Sequence, residues 1–233
     1  MRTLLEERKA FEKLFEVELF NRYYHEFRPQ LGDVKVFHDT DLDRGILAQT
    51  SVKKGEIYLR NPICHVEDAC LVAHELGHLV LQVLGFPACE GGRSADALNT
   101  ALQDPLVDSS LSKYGFDPMP HRGRRIQESI EHFRTDPQAP MDWDRAGRAK
   151  WIANYLALIL DRHVLGDVPD GGSFSKLFTS RYPEIAKQAE RVSEEVISIG
   201  FDTPEKMFKA LGKAREMLDA GRDIQPPAIF RRP

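Results

Sequence analysis

From residue 4 to residue 27, apolar side chains recur at helical spacing (Phe11, Leu14, Phe15, Leu19, Phe20, Tyr23, Phe27), with Glu and Lys filling the other face. The pattern predicts one long amphipathic helix, closed near Pro29 and Gly32. Its apolar face is expected to pack on the main body, with a detachable pro-segment or a partner-docking helix as the alternative. Residues 34–37 read as a short strand. Two further runs, 46–50 and 56–60, flank the turn-forming stretch from Ser51 to Gly55 and predict a hairpin. Asn61-Pro62 breaks the second run. Residues 67–84 then read as a helix with acids in its first turn and Gly85 just past its end.

Beyond a Gly-rich loop (85–94) the pattern predicts a helix over 95–112, a break at Gly115–Pro118 and a loop containing Pro137 and Pro140. Residues 146–163, with WIANYLALIL at their centre, predict a buried helix. Residues 174–220 predict two or three amphipathic helices separated near Gly200 and at Gly212. The expected class is α+β: a small sheet packed on the helix over 67–84, an N-terminal helix and a helical C-terminal half. The expected domain organisation is a core over 1–170, a helical extension over 171–222 packed on it, and an extended tail over 223–233.

Composition narrows the function classes. With 233 residues, 42% of them hydrophobic, the chain is long enough to bury a core without disulfides or a structural metal. A formal net charge of −4 gives no global positive field for nucleic acid or anionic lipid. The basic run Arg122, Arg124, Arg125 is expected to be a solvated loop or helix end. Cys64, Cys70 and Cys89 form no CxxC pair, which points to a reducing compartment, with a Cys64–Cys89 pairing left open. The first residues lack the apolar core of a signal peptide, and no run approaches the length of a membrane span. A cytoplasmic protein acting on peptide or protein substrates, with no nucleic-acid or membrane partner, is the expectation.

Residues 71–80 read LVAHELGHLV. Side chains four apart on a helix lie one above the other, so His74 and His78 can present two imidazoles to one ion. Glu75 falls on the neighbouring stripe, where a carboxylate can act as general base. Chance yields HExxH in about 2% of chains of this composition, so the pattern alone is a moderate signal. Context strengthens it: every other residue of the stretch is uncharged, and burying two histidines and a carboxylate there requires a partner. A metal ion supplies one. The alternative is a core helix whose polar side chains find ordinary hydrogen bonds.

The stretch resembles the extended signature of the zincin metallopeptidases, and the resemblance covers roughly residues 34–110. It implies a zinc ion as cofactor, Glu75 as general base, and a mixed sheet whose edge strand, expected at 51–61, lines the substrate cleft. A metzincin would carry Gly at 81 and His at 84, where this chain has Leu81 and Leu84. A gluzincin would supply a Glu from a second helix, but the segment SADALNTALQDPLVDSSL contains none. Aligned with the gluzincin pattern, Asp104 takes the ligand position and Asp108 a supporting one, again four residues apart. The other register puts Asn99 in support and Thr100, a poor ligand, on the metal. An Asp ligand resembles the aspzincins, although their Gly-Thr before the Asp is missing. Asp104 is therefore the expected third ligand, with Asp108, Asp96 and Glu90 as alternatives.

Zinc peptidases add a His, Tyr or Arg that stabilises an oxyanion. Tyr114, His121, His132 and His163 carry suitable chemistry, but none sits in a local motif, and none is assigned. A structural zinc site drawing on Cys64, His65, Cys70 or Cys89 lacks paired spacing, and no thiol is marked as an activated nucleophile. Met207, Phe208, Leu211, Met217 and Leu218 read as core. The expected function is zinc-dependent peptide-bond hydrolysis. The alternative is a non-catalytic zincin-like protein that binds zinc for sensing or partner recruitment.

Overall fold

The structure, a computed structural model, describes residues 1–42, 46–135, 145–218 and 223–229, without the side chains of 132 and 145. The chain is α+β, with a small four-stranded mixed sheet and a majority of helix. It divides into two compact units, one built on Met1–Gly85 with Ser110–Pro118 and the other on Phe86–Ser109 with Met119–Ile229. Among the described residues no helix is long and apolar enough to cross a membrane.

In the first unit the strands are β1 (Arg2–Leu5), β2 (Lys35–Asp39), β3 (Ala48–Ser51) and β4 (Glu56–Leu59), in the order β1-β2-β4-β3. β2 and β4 run parallel, with Lys35 opposite Glu56 and His38 opposite Leu59, and the two outer pairings are antiparallel. The predicted hairpin joins β3 to β4. Gly55 closes its turn at φ 68°, donating its N–H to the Ser51 carbonyl at 2.9 Å. In β4, Ile57, Tyr58 and Leu59 are all buried, as expected of a strand covered on both faces. The sequence places a substrate-lining edge at 51–61. β4 is instead interior, flanked by β2 and β3, and the edge strand next to it is β3.

The long N-terminal helix predicted over 4–27 is not formed. Arg2–Leu5 pairs with β2, a short helix α1 covers Glu7–Ala10, a 3-10 turn covers Leu14–Glu16, and α2 covers Glu18–Phe27. The break falls at Val17, whose backbone is extended (φ −86°, ψ 111°). Packing is the reason. On one straight helix Phe11 and Phe20 would stand about 13 Å apart along the axis, whereas here their rings meet edge to face at 5.9 Å. Phe15 likewise meets Tyr24 at 5.0 Å. Doubling the chain back buries both halves of the apolar stripe, and the tertiary gain overrides the helical period.

The motif helix, α3 (Ala69–Val83), follows a 3-10 turn at Val66–Asp68. His65 and Asp68 form a capping box at that turn, with the Asp68 carboxylate accepting the His65 N–H at 2.8 Å. Gly85 ends the helix at φ 84°, its N–H donated to the Gln82 carbonyl at 2.9 Å. α3 is buried on nearly every face, from Leu71, Val72 and Ala73 to Leu79 and Leu81, and it packs against α2 and β3.

The second unit holds most of α4 (Gly92–Tyr114; its residues 110–114 count with the first unit), then α5 (Met119–Thr135), α6 (Arg145–Leu165), α7 (Gly171–Arg181), α8 (Pro183–Ile199) and α9 (Pro204–Met217). One core joins them across residue 170. Leu98 and Leu102, Ile152 and Leu156, Phe178, Val192 and Leu211 are all fully buried in it. Tyr155 and Phe178 stack at 4.4 Å with rings 4° from parallel. α8 and α9 each begin on a proline, where the missing N–H is no loss, and α8 ends at Gly200 (φ 77°). Gly212 is not a break. It lies within α9, where burial of Met207, Leu211 and Ala214 outweighs the roughly 1 kcal/mol a helical glycine costs.

α5 is absent from the sequence prediction because its first two turns, MPHRGRR, have the composition of a loop. The expectation that Arg122 is solvated is also wrong: it is 4% exposed. The described part of the tail, residues 223–229, opens on a turn and is pinned, with Ile224 fully buried and Ala228 bridging Ala88 in both directions at 3.0 and 2.9 Å. Pro137, Pro140 and residues 230–233 lie outside the described residues.

Candidate metal centre

α3 carries His74 and His78 one turn apart, and both rings turn the same way. Their Nε2 atoms lie 3.2 Å from each other, with ring centroids 4.8 Å apart and planes at 84°. Two nitrogens bound tetrahedrally to one zinc at ordinary bond lengths lie about 3.3 Å apart. The histidine pair thus already has the spacing of two ligands to one ion. Glu75 is buried at 8% exposure, and its backbone carbonyl accepts the Thr50 hydroxyl at 3.0 Å, which ties β3 to the motif helix.

The predicted third ligand joins them. His74, His78 and Asp104 each offer one ligand atom, and these atoms all lie within 4.8 Å of one another, with His74 and Asp104 buried and His78 partly so. This buried group can hold a metal ion. Two imidazoles and one carboxylate form a donor set that suits a divalent transition ion and, with three members, leaves a coordination position for water. Asp96 and Glu90, the more distant alternatives, are exposed and lie outside the group.

On the carboxylate side the second unit assembles a buried charge cluster. Asp104 and Asp108 project from successive turns of α4, and Pro105 between them leaves the Ala101 carbonyl without its helical N–H donor. From α5, Arg122 donates Nε to Asp108 at 2.5 Å and Nη1 to Asp104 at 3.3 Å, and Nη1 also lies 3.5 Å from Asp161 on α6. The half-exposed Arg125 adds Nη1 to Asp104 at 3.3 Å. Asp108, expected in a supporting position, is 2% exposed and accepts the Arg122 Nε–H. Asn99 spends its carboxamide on the backbone of Cys89, accepting its N–H at 2.8 Å and donating to its carbonyl at 2.9 Å.

The electrostatics of the cluster run against full ionisation. Asp104, Asp108 and Asp161 are gathered round one buried guanidinium, Arg122, with the half-exposed Arg125 on Asp104, so like charges crowd one another away from water. Burial first, then the charges of Asp104 and Asp108, push the Asp161 carboxyl up to about 6 against the pull of Arg122. Desolvation works to lower the pKa of Arg122, but Asp104, Asp161 and Asp108 overcome it and the guanidinium is held more firmly protonated than usual. One oxygen of Asp161, Oδ1, and one nitrogen of Arg122, Nη2, are buried without a hydrogen-bond partner.

The remaining candidates lie elsewhere. Tyr114 donates its hydroxyl to Glu26 at 2.8 Å, under a cation–π contact from Arg22 at 4.7 Å. His65 serves the capping box, and His121 Nδ1 lies 3.3 Å from Arg124. The His132 side chain lies outside the described residues. His163 lines a cavity of about 550 Å³ on α6, α7 and α8 with Arg162, Glu190 and the Tyr155 and Ser175 hydroxyls, which hydrogen-bond each other at 2.6 Å. No disulfide joins the cysteines. Burial pushes both the Cys64 and the Cys89 thiol up to about 12, the reverse of an activated nucleophile.

Arg122 and Asp161 are the site residues that sequence reasoning missed. A signal for Arg122 was present: Ile126, Ile130 and Phe133 form a helical stripe, and one turn back along it stands Arg122. Asp161 is the only acid adjoining the apolar run of α6 and carries no comparable mark. The chain matches no protein-family model, no curated protein and no solved structure.

Proposed function

We propose that the chain is a zinc-dependent peptidase with a zincin-like core, in which His74, His78 and Asp104 hold the ion. The convergence of these three side chains on a space of ligand dimensions supports the reading most. Zinc is the ion of choice for two imidazoles and a carboxylate with one open position. When bound, such an ion supplies Lewis-acid polarisation of a carbonyl and a lowered pKa for water.

The rest belongs to the chain's own groups. Glu75, next to His74 on α3 and buried, is the general base: its carboxylate takes a proton from the attacking water and passes it to the nitrogen of the departing amine. The substrate backbone adds to the outer edge of β3, the strand that Thr50 ties to α3, and pairs with the backbone groups of that edge. Changing Glu75 to Gln removes the base while keeping size and shape. Hydrolysis of a fluorogenic peptide library is expected to fall about 100- to 10,000-fold, with metal content unchanged. Undiminished turnover in that variant refutes the assignment.

A further inference from the structure

Arg122 is buried at 4% exposure, yet a buried network of charges is seldom a route to stability: replacing all of its members together by apolar residues of similar volume commonly stabilises as well or better. Its contacts suggest another role. From α5 it spans the two carboxylates that stand one turn apart on α4, with Nε on Asp108 at 2.5 Å and Nη1 on Asp104 at 3.3 Å. Asp161, on α6, sits behind it at 3.5 Å. The guanidinium is planar and donates in fixed directions, so engaging two acceptors on α4 and a counterion on α6 fixes the plane of the fork. Both guanidinium contacts to Asp104, from Arg122 and from Arg125, fall on the same oxygen, Oδ2. Two charged donors on one oxygen restrain where that oxygen sits.

We propose that Arg122 is a positioning residue that holds the Asp104 carboxylate in the orientation a metal ligand needs, with Asp108 and Asp161 as its anchors. The proposal rests on the reading of Asp104 as a ligand. Aspartate is one methylene shorter than the glutamate usual at such a position, so its placement tolerates less slack, and outer partners of metal ligands are worth about 10- to 100-fold in affinity. Lysine cannot take the place of Arg122, because a single ammonium reproduces the charge but not the fork.

The test is a competition titration of the full chain with Zn²⁺ against a chromophoric chelator, comparing wild type, Arg122→Lys and His78→Ala. Positioning predicts that Arg122→Lys stays folded by circular dichroism and binds zinc about 10- to 100-fold more weakly, while His78→Ala loses the site. Wild-type affinity in folded Arg122→Lys, together with loss in His78→Ala, overturns the positioning role and leaves the metal site standing. No zinc bound by wild type, or undiminished binding by His78→Ala, overturns both. A second measurement needs no variant: the Arg122 Nε–H signal in the ¹H–¹⁵N spectrum of wild type is expected to exchange slowly and to shift on zinc addition. A signal unmoved by zinc that binds through His78 overturns the proposal.

Discussion

The two units bury polar chemistry in different ways. In the first, one helix carries His74, Glu75 and His78 among its buried apolar residues, and the two imidazoles meet each other at 3.2 Å. In the second, three carboxylates from α4 and α6 are gathered around a guanidinium from α5. One arrangement is local, set by a spacing of four along a single helix; the other exists only once three helices have packed. The contrast suggests that the histidine pair stays in place whenever α3 is helical, whereas the carboxylates depend on Arg122 and on the whole of the second unit.

The sharpest way to break this comparison is Arg122→Met. It leaves Asp104, Asp108 and Asp161 buried without the guanidinium they share, and should destabilise the protein by about 3–5 kcal/mol. Urea denaturation measures it, and a loss below about 1 kcal/mol would mean that the cluster does not depend on Arg122.

A pH titration sharpens the comparison further. The Asp161 carboxyl is raised to about 6 in the folded chain, by burial first and by its acidic neighbours next, so the folded state holds a proton that the unfolded state has released above pH about 4. That stabilisation is complete below pH 4 and is lost as the pH climbs through about 6, a change of about 3 kcal/mol. In chelator-treated protein, Asp161→Asn should flatten this slope between pH 4 and 6. An unchanged slope would place the proton elsewhere.

The smallest effect concerns the local arrangement. Gly85 stops α3 at φ 84°, and no heavy atom lies within 4 Å of a Cβ added there, so Gly85→Ala should cost only the strain of the left-handed backbone, about 1 kcal/mol. A larger loss in the thermal melt would show that the end of α3 is held by more than its own cap.

How much was legible follows the same division. The motif helix, its stop at Gly85 and the β3–β4 hairpin are short-range features, readable from spacing and turn residues. Asp104 was singled out by the resemblance of the second helix to the gluzincin pattern, in which Asp104 and Asp108 stand four residues apart. The broken N-terminus was hidden because helical periodicity cannot report that Phe11 and Phe20 pack on each other rather than side by side on a third element. The place of β4 inside the sheet was hidden too, since strand order depends on pairing with the distant β2. Arg122 and Asp161 look like surface charges in the sequence, and only helix packing brings them to Asp104.

The central claim is that His74, His78 and Asp104 bind one ion. Elemental analysis of the full chain, reconstituted with Zn²⁺ and dialysed, tests it most directly, alongside His74→Ala, His78→Ala and Asp104→Ala. The account predicts about one zinc per wild-type chain and loss of it in each folded variant; no zinc in wild type, or zinc retained without either histidine, would contradict it.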